Sequence, residues 1–133
     1  MNLKKIISLV LRLVAAIIML QTLYFKFTAQ PESIYIFSAV GIEPWGRIAT
    51  GVAELIAAIL LLIPATIALG AVMSIGIMTG AIVTHLFVIG INVQGDGGQL
   101  FAYAMIVFIA GVVLSIMHFD QLQSLLKRRA GLS

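Results

Sequence analysis

Residues 51–65 read GVAELIAAILLLIPA, and within them Glu54 is the single Asp, Glu, Lys or Arg between Arg47 and Asp96. An apolar run of this length, closed by a proline that supplies no helix donor, is a helix end to end. What surrounds such a helix follows from the whole chain. Hydrophobic residues make up 62% of the 133 residues and charged ones 10%, and mean hydropathy is +1.16. Soluble domains carry about 25% charged residues, so this chain cannot cover a water-facing surface. It reads as an integral membrane protein.

A span takes about 20 apolar residues, and four segments qualify. They run from about 9 to 27, 44 to 63, 65 to 89 and 100 to 119, within a single transmembrane domain over 1–133. The N-terminus also carries Lys4 and Lys5 before an apolar core, as a signal peptide would. That core is long, however, and no small-x-small cleavage site follows it, so the stretch reads as the first span. Cysteine is absent, which removes thiol redox chemistry, disulfides and thiolate metal sites from the chain's own repertoire.

Basic residues orient the spans. Lys4, Lys5 and Arg12 flank the first and Lys127, Arg128 and Arg129 follow the last. An even number of spans brings both clusters to one side, which the positive-inside rule makes cytoplasmic. Both termini are then cytoplasmic. The net charge of +3 reflects topology, with no call for nucleic acid, and the tail can also touch anionic lipid. Arg12 reads as a snorkelling anchor.

Between the first two spans, Pro31 and Glu32 suit a helix start and Gly41 a helix end. A short interfacial helix is expected there, with Ile34, Phe37 and Val40 as its apolar edge and Trp45 as an anchor. The stretch GINVQGDGGQ is glycine-rich and mobile by composition. A turn at Pro64 and Ala65 makes the second and third spans an antiparallel hairpin.

Counted from that turn at about 1.5 Å per residue, Glu54 lies roughly 15 Å deep. A carboxyl there is costly unless partnered, hydrated or protonated. Arg47, Thr50 and Glu54 share one helical stripe, and depth brings Gln21, Thr22 and Ser74 to the level of Glu54, with Tyr103, Lys26, His85 and Gln99 above. Lys26, Arg47, Glu54, His85, Gln21 and Tyr103 are therefore the expected ligand-binding residues. They would form a funnel with a basic rim and a carboxylate base. The plainer alternative is that Glu54 is a structural carboxyl joining helices. Gly76-x-x-x-Gly80, continued by Thr84, reads as a close-packing ridge. His118 falls at the opposite end from His85, so no metal site is expected. No nucleophile–base pair, phosphate loop or nucleotide fingerprint is present, and nothing argues for an enzyme acting on its own.

Gly51-x-x-Glu54-Leu55, the Leu-Leu-Leu-x-Pro turn that follows, and Gly-Ala-x-x-Thr-His-Leu ending at Leu86 resemble the DoxX-like family of small four-helix membrane proteins. Arg12 early in the first span and Phe25-Lys26 late in it add to the likeness. One departure is Tyr24-Phe25 where the family often has glycine before the lysine. The resemblance implies an all-α, antiparallel four-helix bundle in the bacterial inner membrane. It also implies a loose association with redox systems, since relatives serve as small subunits of thiosulfate:quinone oxidoreductase, as partners of oxidative-stress enzymes, or as assembly factors. Two functions follow as expectations. The chain is a redox-associated small subunit whose outward pocket takes a quinone or lipid headgroup, or it is a non-catalytic accessory or assembly subunit. Quinone is the one cofactor suggested, and the bilayer, membrane redox proteins and a second copy of the chain are the partners in view.

Overall fold

The computed structural model describes residues 2–129 and 131. The chain is helical, with no strand among the described residues. Its elements are α1 (Leu3–Phe27), α2 (Pro31–Val40), α3 (Trp45–Leu62), α4 (Ile67–Thr84), α5 (Gln99–Met117) and α6 (Phe119–Arg129). A 3₁₀ turn at Pro64–Thr66 precedes α4, and a π-helical turn at His85–Ile89 extends it. Among the described residues four helices are long and apolar enough to cross a membrane: α1, α3, α4 with its flanking turns, and α5. This is an all-α membrane bundle.

The local reasons are legible. The Asn2 side chain accepts a 2.9 Å bond from the Lys5 amide and caps α1. Pro31 opens α2 and Gly41, at φ 86°, closes it in the left-handed conformation. Proline 64 stops α3, and the chain reverses through the turn that follows.

The four long helices form a ring. α1 and α4 sit on opposite corners, and each packs against both α3 and α5. Ala15, Ala16, Met19, Ala57, Ala58, Leu61, Val107 and Leu114 fill the half nearer the Pro64 turn. Alanine dominates there because helices in lipid associate by close packing, without a hydrophobic drive between them. Three glycines permit close approach between the long helices. A Cβ on Gly70 would meet the Leu61 amide nitrogen at 2.8 Å, one on Gly111 the Ala71 carbonyl at 3.1 Å, and one on Gly51 the Phe27 ring at 2.6 Å.

Several expectations are corrected. Arg12 has a more specific place than a general anchor: its Nε and guanidinium nitrogen donate to the Leu61 and Leu62 carbonyls at 2.6 and 3.1 Å. It thus caps the C-terminus of α3, whose last carbonyls lack helical partners. The fourth long helix ends at Met117, and the tail continues as α6, an element the sequence reading did not anticipate. Gln121 anchors it by accepting from the Ala68 amide at 3.0 Å and donating to the Pro64 carbonyl at 2.9 Å. The glycine-rich loop is closed on itself, because Asp96 accepts from the amides of Val93, Gly98 and Leu100.

Candidate functional site

At the α2 end the ring is not filled. A cavity of about 560 Å³ opens there, lined by all four long helices, by α2 and by the π turn. That volume lies within the range of small-molecule sites.

Glu54 stands at its base, 3% exposed. Lys26 Nζ lies 2.8 Å from Glu54 Oε1, and Thr22 Oγ1 donates to Glu54 Oε2 at 2.8 Å. Both partners come from α1, so the carboxylate joins α1 to α3. Thr22 stands at the level of Glu54 that depth counting gives it, whereas Lys26 reaches down from its expected place above. The long lysine stem covers the difference in depth, and Tyr24 and Phe25 do not prevent the approach. Ser74 is no partner of Glu54, since its hydroxyl donates back to the Gly70 carbonyl at 2.8 Å.

Five of the six expected residues, Gln21, Lys26, Glu54, His85 and Tyr103, line this one cavity. Arg47 does not, and its placement is corrected. Its Nε pairs with Glu43 Oε1 at 2.8 Å and its terminal nitrogen donates to the Lys26 carbonyl. Gly51 lets α1 come so close that the arginine is used up bridging α1 and α3 beside the cavity. The rim is consequently not basic. Lys26 and Arg47 each face a carboxylate, and a second carboxyl, Glu32, enters the lining from α2. Burial, and then the nearby charge of Asp96, raises the Glu32 carboxyl above its ordinary range. For Asp96 burial acts upward too, but the three backbone amides and the charge of His85 outweigh it and hold that carboxyl low.

His85 is 5% exposed. Its Nδ1 lies 3.0 Å from the Gly90 carbonyl, which can only accept, so Nδ1 carries the proton. The other ring nitrogen is then an acceptor in the neutral ring. Tyr103 accepts from Gln99 Nε2 at 2.8 Å, which leaves its own O–H free to donate.

The helix α2 lies across the cavity mouth and contributes Glu32, Ser33, Ile36, Phe37 and Val40. Of the expected edge Phe37 and Val40 face in, while Ile34 is exposed and Ile36 takes its place. Gly76 and Gly80 are also corrected. Nothing lies within 4 Å of a Cβ at either position, and both line the cavity. They make space instead of a packing ridge. No group of three or more metal-ligating side chains occurs among the described residues.

No curated protein and no solved structure gives a significant match to the chain. The family model described as the DoxX-like family matches residues 10–116. That match runs from the first span through nearly all of the last and contains every residue of the site, and the chain belongs to the DoxX-like family.

Proposed function

We propose that this protein is a binding subunit of the bacterial inner membrane, with both termini cytoplasmic, whose cavity takes the headgroup of a quinone or a lipid on behalf of a redox system. One observation carries the binding: the Lys26–Glu54 pair lies at the base of an open cavity, where a purely structural ion pair would be packed over. Burying two charges in a bundle is costly even when they are paired, and a site that must hold a polar head at this depth gives that cost a purpose. The redox association rests on the family, whose relatives serve thiosulfate:quinone oxidoreductase and oxidative-stress enzymes. Quinone is the cofactor in view, and redox proteins of the same membrane are the partners.

A second reading is favoured by the same contacts seen from the helices. Glu54, Thr22 and Lys26 tie α1 to α3, as an accessory or assembly subunit with no ligand would also require. Mass spectrometry of the protein in a mild detergent extract separates the two. A bound small molecule in the parent, depleted in Glu54→Gln, is expected. Parent protein that carries nothing overturns the binding reading in favour of the assembly subunit.

A further inference from the structure

The charge pattern and the shape of the cavity say more about the ligand than that it is amphipathic. Lys26 is held by Glu54, and Arg47 by Glu43 outside the lining, while Glu32 brings a second carboxyl in. An anionic head would find no uncompensated cation among these residues and would meet two carboxyls. An uncharged head finds complementary groups. The Tyr103 hydroxyl and the remaining Lys26 protons donate, and the second ring nitrogen of His85, the one not used on the Gly90 carbonyl, accepts whenever the ring is uncharged.

Shape supplies the route for the rest of the molecule. α3 and α4 are antiparallel and pack tightly at the level of Gly70, against Ala57 and Leu61. From that contact, about two and three helical turns along α4 bring Gly76 and Gly80 to the levels of Ala53 and Ala49 of α3. At 100° per residue Gly80 lies about 80° from the Gly70 direction, Ala53 and Ala49 about 40° and 80° from that of Ala57, on the outer flanks of the seam, and Gly76 lies about 120° round, at the lipid-facing edge of α4. All four line the cavity, Ala49, Gly76 and Gly80 are exposed, and the glycines meet no atom where a side chain would begin. The seam is tight at Gly70, and above it carries these small residues, which leave a gap on its outer side. The cavity lining thereby reaches the outer side of that seam, beside the exposed apolar residues Val52, Ile56 and Val83.

We propose that the ligand is an amphiphile with an uncharged, hydrogen-bonding head and a single flexible hydrocarbon tail, and that the tail leaves the cavity sideways between α3 and α4. This rests on the binding reading above and specifies it. The ligand comes from the bilayer, and α2 need not move to admit it.

The test uses the protein in lipid nanodiscs and four probes: a benzoquinone with a ten-carbon chain, the same ring without the chain, a monoacylglycerol of that chain length, and the fatty-acid anion of that length. Gly76→Leu and Gly80→Leu place side chains in the gap and leave Lys26, Glu54 and His85 intact. Because nothing occupies those positions, both variants should melt as the parent does. The parent should bind at least one uncharged tailed probe tenfold or more tighter than the anion. Either leucine variant should weaken that binding tenfold or more and change the tailless ring less than twofold. A preference between quinone and monoacylglycerol identifies the source of the head. Unchanged affinity for the tailed probes in both variants overturns the lateral route, and equal or tighter binding of the anion overturns the uncharged head, each leaving the binding reading in place. If no probe binds the parent, the binding reading itself falls.

Discussion

Removing the Glu54 carboxylate while Lys26 remains strands an ammonium group whose side chain is 14% exposed. Losing one partner of a buried pair costs roughly 3–5 kcal/mol, so Glu54→Leu should lower stability by about that much. The double variant Lys26→Met/Glu54→Leu should recover most of the loss, because no charge is then left unpaired. Thermal unfolding of the three proteins in one detergent checks this, and a double variant no more stable than Glu54→Leu would count against the ion pair. Asp96 makes a second test. Its carboxyl is held low by backbone amides, so the stability it adds is present above the ordinary Asp value of about 3.9 and lost as pH falls through the lower folded value. Asp96→Asn should cost about 1 kcal/mol at neutral pH and flatten the acid side of the melting profile. Glu54 itself was legible from spacing and depth. Arg47 was misplaced because its stripe predicts a direction on α3, whereas Glu43, one turn earlier, captures the side chain.

Glycines decide how the elements fit, and the same residue type does opposite things along α4. Gly70→Ala drives a Cβ into backbone at 2.8 Å and should destabilise by about 1–3 kcal/mol. Gly76→Ala meets nothing, so the gain in helix propensity should leave it as stable as the parent or up to about 1 kcal/mol more so. A reversal of that order would contradict the open gap between α3 and α4. Sequence spacing alone suggested close packing at Gly76 and Gly80, because a small-x-x-x-small pattern suits a tight interface and a cavity wall equally. The helix α6 had readable signals: Asp120 in its first turn and Lys127, Arg128 and Arg129 in its last. Without knowledge that Gln121 reaches the Pro64 turn, they pass for a solvated tail. Gln121→Ala should free α6, and faster cleavage by trypsin after Lys127 is the expected result.

For the whole molecule, hydropathy was enough to find the four spans and Pro64 to pair α3 with α4, since both rest on lengths and breakers that local chemistry imposes. The ring order and the unfilled half were not readable, because they depend on which glycines touch a neighbour. Orientation is checked in this cysteine-free chain with an impermeant maleimide: in intact cells a cysteine at Gly97 should label and one at Gly131 should not. The central claim is that the Lys26–Glu54 base holds a polar head. Its most direct test is equilibrium binding of a quinone analogue to the purified protein across pH, in the parent and in Glu54→Gln, which keeps the shape of the side chain and removes its charge. Saturable binding in the parent, weakened at least tenfold and altered in pH dependence by the substitution, is the predicted result. Binding that is undetectable in the parent, or identical in both proteins at every pH, would contradict it.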